Sequence, residues 1–250
     1  MGSLSGLSGL SGLGGVMGRR SYMQSVLALN PLAFWPLNEL SGTTAIDATG
    51  HGYNGTLGAT TKAPTIGQAG QFGNTCYSFD GGDLVNIYTA GLAGAFSGAK
   101  GTLAAWMKVY DSTVWGTTPR KVVNLYVDDS NYIDLRKNNQ ANQFVFSYKA
   151  GGTSSGITAT GQSNTGWMHV GLTWDKTAGE TGEAKAYING VQYGSTAVGL
   201  GTWAGNLASA ACAIGANDTT PNQPWYGWIQ YVGLWDRALT ATEMEILGQP

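Results

Sequence analysis

The chain has 250 residues, of which 42% are hydrophobic and 11% charged, with a formal net charge of −2. Its 13 Lys and Arg are scattered, which excludes the basic patch that nucleic-acid-binding proteins need. No apolar run approaches the ~18–20 residues that cross a bilayer. With 39 Gly and only five Glu, the composition favours short strands and tight turns. We therefore expect a β-rich protein with no nucleic-acid partner and no membrane insertion.

The first element in chain order is a low-complexity segment over residues 1–21, in which Gly and Ser separate regularly spaced leucines. The leucines at every third position and the two closing arginines are Leu4, Leu7, Leu10, Leu13, Arg19 and Arg20. A Gly/Ser chain is typical of a flexible linker. An extended helix with three residues per turn would instead align the leucines along one edge for docking. We favour an extended assembly arm, and this segment does not fit a secretory signal because Gly and Ser interrupt every apolar stretch.

From Tyr22 onward the sequence pattern is typical of a globular protein, and residues 22–250 are predicted to form one domain. Residues 22–29 predict a short helix that ends before Pro31, because the residue preceding proline disfavours the helical conformation. Beyond an extended stretch over 32–37, short apolar or alternating runs recur between turn signals. These runs are 76–79, 84–88, 102–109, 122–127, 132–135, 143–148, 168–174, 184–188, 211–214 and 228–235.

Two local signals are stronger than the rest. Asn189-Gly190 between two strand-like runs is typical of a two-residue hairpin turn. Thr240 followed by Glu243 forms a capping box that predicts a short C-terminal helix. Many strands without intervening helices indicate an all-β sandwich of two antiparallel sheets.

Six segments in consistent order carry a family likeness. They lie at 22–42, 79–83, 102–109, 167–175, 186–190 and 227–243, and include W-x-H-V, Y-x-N-G and a closing W-x-R-A-L-T-x-x-E. On these motifs, residues 22–248 resemble the laminin G-like, concanavalin A-like lectin/glucanase superfamily. The resemblance implies a jelly-roll sandwich, and it also implies a setting in bacteriophage structural proteins, where domains with this opening are frequent.

The resemblance further suggests a cation, although with one departure. Related domains hold calcium with acidic side chains near the closing strand, where the family's usual Asp is Gln230 here. Asp47, Asp80 and Asp83 remain candidate calcium ligands, since calcium prefers carboxylate oxygens. The alternative is that these residues cap turns by bonding to their own backbone.

Catalysis is not expected. Retaining glycoside hydrolysis needs two carboxylates roughly 5–5.5 Å apart, and the E-x-D-x-x-E strand of the glucanase relatives is missing from this sequence. His51 and His169 have no metal-ligand spacing to another His or Cys. Cys76 and Cys212 are interpreted as buried thiols, with a single bridge as the alternative.

Four aromatic residues fall in loops rich in Gly, Thr, Pro and Asn, namely Trp115, Trp203, Trp225 and Tyr226. Exposed aromatic rings are enriched at recognition surfaces. We expect these four rings to contact glycans or a protein partner, whereas the remaining tryptophans are expected in the core.

Two functional hypotheses follow. The first is a non-catalytic virion protein of a bacteriophage, either a capsid decoration or tail-associated. Its arm would contact other virion proteins or copies of itself, and its sandwich would contact host-surface glycans. The second is a carbohydrate-binding module of a bacterial surface or secreted protein, located outside the cell. Neither hypothesis requires a cofactor, and calcium is the single candidate.

Overall fold

The structure is a computed structural model that describes residues 21–249. The strands in chain order are β1 (Ala33–Trp35), β2 (Thr44–Ala45), β3 (Gly55–Leu57), β4 (Thr65–Ala69), β5 (Thr75–Asp80), β6 (Val85–Asn86), β7 (Lys100–Val109), β8 (Arg120–Asp128), β9 (Asn131–Lys137), β10 (Phe144–Ala150), β11 (Thr153–Ser154), β12 (Ile157–Ala159), β13 (Met168–Asp175), β14 (Glu183–Ile188), β15 (Val191–Val198), β16 (Ala213–Ile214) and β17 (Tyr226–Trp235). The α-helices are α1 (Tyr22–Leu27), α2 (Ala90–Ala95) and α3 (Ala241–Gly248).

These strands form two antiparallel sheets. The eight-stranded sheet has the order β15-β14-β13-β7-β17-β5-β4, with β1 on β17. The nine-stranded sheet has the order β11-β10-β9-β8-β16-β6-β3-β2, with β12 on β10. The predicted all-β sandwich with a short C-terminal helix is confirmed.

The main core lies between the sheets, where every second side chain of each strand points inward. It is built from aliphatic and aromatic residues of both sheets, among them Leu103, Leu125, Ile133, Phe146, Trp174 and Ile229. Polar residues alternate with these on β8 and β9, which leaves the opposite face of the nine-stranded sheet hydrophilic.

The outer face of the eight-stranded sheet is covered instead. A second apolar cluster packs α1 and α3 against this face, with Trp106, Trp235 and Met244 almost completely buried. The Tyr22 hydroxyl of α1 donates to the Leu247 carbonyl of α3 at 2.8 Å, which ties the two helices together. The sandwich therefore has one helix-covered face and one polar face.

The local signals predict the elements well, with small differences in bounds. Ser21 and Gln24 form the capping box of α1, which ends at Leu27 because Pro31 follows closely. Asn189 and Gly190 both have positive φ, as the predicted hairpin turn requires. The α2 helix lies in the Gly- and Ala-rich stretch Ala90–Ala95, which carries no sequence signal strong enough to predict it.

Three further predictions concern the cysteines, membrane-spanning helices and the N-terminal arm. Cys76 and Cys212 are both buried and free, as the thiol interpretation expects. None of the helices in residues 21–249 has the length and hydrophobicity that a bilayer crossing requires. Of the predicted arm (residues 1–21), only Ser21 belongs to the described residues, so Leu4, Leu7, Leu10, Leu13, Arg19 and Arg20 lie outside them.

Candidate functional site

Two of the four predicted contact aromatics are buried, so the expectation that they are exposed is wrong. Trp115 is 2% exposed and Trp225 is 0% exposed. The Trp115 indole donates to the Asn164 carbonyl at 2.9 Å, which fixes the ring beneath its loop. These loops fold back over the ends of the sandwich, so a loop position does not make a large apolar ring accessible.

Trp203 is partly exposed but also points toward the protein. Its ring packs edge-on against Phe96 at 5.6 Å between centroids and lies near Tyr148 at 6.3 Å. A Cβ at Gly98 would come within 2.3 Å of this ring, so glycine is required for the approach. Trp203 therefore closes one end of the core.

Tyr226 is the predicted aromatic residue that joins an open surface. Tyr110, which is 53% exposed, stacks between Tyr226 and Trp228 at 4.6 and 5.7 Å. Lys108 lies over the Trp228 ring and Arg120 over the Tyr226 ring, at 4.8 and 5.5 Å. Because neighbouring groups already cover the ring faces, this stack offers edges rather than a flat platform.

The first calcium candidate, Asp47, acts as a turn cap. One carboxylate oxygen accepts from the Phe34 and Thr49 backbone N–H groups at 3.1 Å each, and the other accepts from the Tyr53 N–H at 3.1 Å. The Thr49 hydroxyl donates to both oxygens. The carboxylate is thus saturated by protein donors, which does not fit a role as a calcium ligand.

Asp80 and Asp83 form a local pair. Asp83 accepts from the Asp80 backbone N–H at 2.8 Å, and Asp80 accepts from that of Gly82 at 2.9 Å. Burial, followed by the neighbouring Asp80 charge, raises the pKa of Asp83 to about 6. No group of three or more His, Cys, Asp or Glu in residues 21–249 could hold a metal ion. The three predicted ligands are therefore not brought together.

A different site lies on the outer face of the nine-stranded sheet. Two adjoining depressions of about 420 and 350 Å³ share Lys121, Tyr132 and Gln223, and we call this surface the polar groove. The other lining residues are Pro119, Asp134, Arg136, Asn138 and Asn139 in the first depression and Tyr126, Asp129, Ala211, Asn217 and Asp218 in the second.

The strand register assembles the floor of the polar groove. Arg136 on β9 lies opposite Lys121 on β8, and Asp134 lies between Asn124 on β8 and Ser147 on β10. Tyr132, Asp134 and Arg136 share one face because strand residues two apart point the same way.

The floor is an ion triad centred on Asp134, whose side chain is completely buried. Lys121 Nζ lies 2.8 Å from one Asp134 oxygen, and Arg136 Nη1 lies 2.6 Å from the other. Lys121 also donates to Asn124 at 2.9 Å, and Arg136 donates to Ser147 at 2.6 Å. Burial lowers the pKa of Lys121, and the Asp134 charge counteracts part of this decrease. Such a buried charge is tolerated because it is paired and hydrogen-bonded.

The loop over residues 215–225 forms one wall of the polar groove. The Gln223 carbonyl accepts from the Lys121 backbone N–H at 2.8 Å. The Asn124 side-chain amide donates to the carbonyls of Ala211 and Asn217 at 2.9 and 2.7 Å. These bonds hold the wall against the sheet and explain why Asn124 is buried on an outer face.

Aromatic rings line the polar groove near the junction of its two depressions. Tyr126 and Tyr132 lie opposite each other on β8 and β9, with ring planes 20° apart and centroids at 6.4 Å. Both are partly exposed. Lys121 and Lys149 lie 5.6 and 5.7 Å from the Tyr132 ring centroid. The groove therefore combines accessible aromatic surface with many hydrogen-bonding groups.

Comparison with known proteins places this geometry in a family. A family model described as the concanavalin A-like lectin/glucanases superfamily matches residues 79–245. No curated protein sequence matches the chain significantly.

Several solved structures share the fold. They include the receptor binding domain of botulinum neurotoxin C/D mosaic serotype, with a TM-score of 0.65, 13% identity, and coverage of 87% of this chain and 50% of that one. The binding domain of Paraclostridial Mosquitocidal Protein 1 has a TM-score of 0.66 and 16% identity, covering 89% and 52%. Domain 4 of AbnA, a GH43 extracellular arabinanase from Geobacillus stearothermophilus solved in complex with arabinotriose, has a TM-score of 0.60 and 19% identity, covering 87% and 97%.

The chain spans about half the length of the toxin domains and nearly all of the arabinanase domain. At these identities the likeness concerns the fold. The family match covers most of the sandwich and runs from the end of β5 into α3. This chain belongs to the concanavalin A-like lectin/glucanase superfamily.

Proposed function

We propose that this protein is a non-catalytic carbohydrate-binding protein whose ligand occupies the polar groove. The observation that carries the proposal is the groove itself, in which the Tyr132 ring lines both depressions beside Lys121 and Gln223. Sugars combine apolar ring faces with a high density of hydroxyl groups. A site that recognises them therefore needs aromatic surface next to precisely placed polar groups.

The polar groups in the groove are held in place before any ligand binds. Asn217 donates its side-chain amide to Asp218 at 3.2 Å, and Asp218 also accepts from Asn222 and Thr220 at 2.9 Å each. A preorganised site loses less conformational entropy on binding. This rigidity supports recognition of a defined ligand rather than loose surface contact.

The comparisons support the same proposal at the level of fold. The arabinanase domain was solved with arabinotriose and is matched over 97% of its length. The toxin structures are receptor-binding or binding domains. We extend binding of this kind to the present chain as part of the proposal.

The acidic residues of the groove support binding without hydrolysis. Both Asp134 oxygens are engaged by Lys121 and Arg136, so this carboxylate is not available as a nucleophile or a proton donor. Asp129 accepts from the Tyr126 hydroxyl at 2.8 Å. Retaining hydrolysis would need two free carboxylates flanking the bond that is cleaved.

A glycan array with matched tyrosine variants tests the proposal. We expect the parent protein to retain a defined set of glycans and Tyr132→Ala to weaken that binding at least about tenfold, because an aromatic contact and its buried area are lost. The control is Tyr110→Ala, which removes a more exposed tyrosine from the stack at Tyr226 and Trp228.

Binding by Tyr110→Ala should match that of the parent. If the parent retains no glycan on a broad array, carbohydrate binding is wrong. If Tyr110→Ala loses binding while Tyr132→Ala keeps it, the groove is the wrong site.

The wider setting that we propose is a bacteriophage virion, with the sandwich as the module that contacts host glycans. The support is the leucine-periodic sequence of residues 1–20 directly before Ser21, which caps α1. Deleting residues 1–20 keeps that cap, so the domain should fold and bind glycans while losing incorporation into particles. Normal incorporation of the truncated chain would contradict the anchoring role and leave the carbohydrate-binding module as the alternative.

A further inference from the structure

The two halves of the polar groove differ in charge. The charged side chains lining the first depression are Lys121, Asp134 and Arg136, which leaves one net positive charge. Those lining the second are Lys121, Asp129 and Asp218, which leaves one net negative charge. The Lys149 ammonium lies 5.7 Å from the centroid of the Tyr132 ring, which lines both depressions.

The cations of the first depression keep unused hydrogen-bond donors. Arg136 donates through Nη1 to Asp134 and Ser147. It also contacts the Tyr132 hydroxyl, which opposes part of the rise that burial causes in the pKa of Tyr132. A guanidinium carries five N–H donors, three of them on Nε and Nη2. Lys121 has three donors, of which Asn124 and Asp134 receive two.

The anion of the triad, in contrast, is engaged by the two cations at both of its oxygens. Asp134 is completely buried and accepts from Lys121 and from Arg136, the latter at both of its oxygens. One carboxylate therefore serves two cations, and the excess positive charge faces the first depression. A charge held in a partly buried site is stabilised when an opposite charge with matching acceptors binds beside it.

We propose that the glycan bound by the polar groove carries an oxyanion, either a carboxylate or a sulfate, seated in the first depression against Arg136 and Lys121. The inference rests on the proposed carbohydrate binding and adds the class of sugar to it. The planar guanidinium fork matches two acceptor oxygens of such a group. The second depression, with Asp129 and Asp218, would take neutral, hydroxyl-rich residues of the same glycan.

The test compares matched acidic and neutral glycans on one array. The pairs are oligogalacturonate with its carboxyl-reduced oligogalactose, sialyllactose with lactose, and sulfated with unsulfated lactose. We expect the acidic member of at least one pair to bind at least about tenfold more tightly, as a charge-assisted bidentate contact implies. Preference for carboxylate or for sulfate identifies which anion the site takes.

Three outcomes distinguish failure of the oxyanion site from failure of carbohydrate binding as a whole. Equal or tighter binding of the neutral members would overturn the inference and leave carbohydrate binding intact. Binding of no glycan at all would remove both. Binding of acidic members that does not weaken between about 0.05 and 0.5 M NaCl would also contradict it, because ion contacts at a partly open site are screened by salt.

A protein variant provides a second test of the same inference. Arg136→Gln should reduce the preference for the acidic member to about twofold or less, while Lys108→Gln, a cation over Trp228 on the opposite sheet, should leave it unchanged. Thermal unfolding shows whether Arg136→Gln remains folded. If it does not fold, the matched glycan pairs still decide the question with the parent protein.

Discussion

The two outer faces of this sandwich bury different kinds of side chain, apolar on one sheet and charged on the other. On the eight-stranded sheet, α1 and α3 cover an apolar layer that includes Trp106, Trp235 and Met244. On the nine-stranded sheet, an ion triad forms the floor of the polar groove, which stays open to solvent above it. The helix-covered face contributes stability through apolar burial. The other face instead buries a charged triad at the floor of the polar groove.

The comparison shows where a recognition function is expected. Burying a charged triad is not an efficient way to stabilise a sheet, since well-packed apolar residues usually do as well or better. The opposite sheet of the same protein uses that apolar solution. We therefore interpret the triad around Asp134 as a feature kept for binding.

The largest expected effect is at the triad. Asp134→Ala leaves Lys121 buried without its anion and should lower the free energy of unfolding by about 3–5 kcal/mol in urea titrations. The control is Asp129→Ala, an exposed carboxylate of the same groove, for which a loss of about 0.5 kcal/mol or less is expected. Similar losses for both variants would show that burial of the triad does not matter.

The next effect belongs to the helix-covered face. Met244 in α3 is completely buried, and its terminal methyl group packs over Gly171 of β13. Met244→Ala should cost about 2–4 kcal/mol of unfolding free energy and leave glycan binding unchanged. Ile246→Ala, on the exposed side of the same helix, is the control and should cost less than about 1 kcal/mol. Loss of glycan binding in Met244→Ala would mean that the two faces are not independent.

A neutral buried polar group offers an intermediate case. Gln230, where the family's usual residue is Asp, accepts from the Gln71 N–H at 2.7 Å and donates to the Thr75 carbonyl at 2.6 Å. Gln230→Ala leaves both backbone groups without these partners and should cost about 1–3 kcal/mol. A loss larger than that of Asp134→Ala, measured by the same titration, would reverse the expected order of charged and neutral groups.

The smallest effect is a dependence on pH at the cap of α3. The Arg237 side chain, which donates to Glu243, holds the pKa of Glu243 down to about 2, compared with an ordinary value of 4.5. A lowered carboxyl pKa contributes stability that is present above about pH 4.5 and lost as the pH falls toward 2. Solvent screening keeps the contribution below about 1 kcal/mol. Plots of unfolding free energy against pH should be flatter in this window for Glu243→Gln, and identical slopes would contradict the assignment.

Local sequence signals predict much of the fold because they act over a few residues. The capping box at Thr240, the turn at Asn189-Gly190 and the alternating strands have the same physical causes in the chain as in the structure. Helix propensity does not predict α2, because the stability of this helix comes from the Thr89 cap and the burial of Leu92.

The site was harder to predict because it depends on long-range register. Lys121 belongs to β8, whereas Asp134 and Arg136 belong to β9, and only the pairing of these two strands brings Lys121 to the other two residues. Arg136 and Lys137 are adjacent in sequence but point to opposite faces, and Lys137 instead donates to the Gly116 carbonyl. In the same way, no local signal distinguishes buried Trp115 from an exposed loop aromatic, because burial depends on how the loop folds back over the sheets.

Hydrogen–deuterium exchange with and without the glycan that the array retains most strongly tests whether the polar groove is the binding site. We predict slower exchange in residues 120–137 of β8 and β9 and in the loop 215–225, with no change in α1 or α3. Protection confined to the helix-covered face, or to the stack around Tyr110, would contradict the assignment of the polar groove as the binding site.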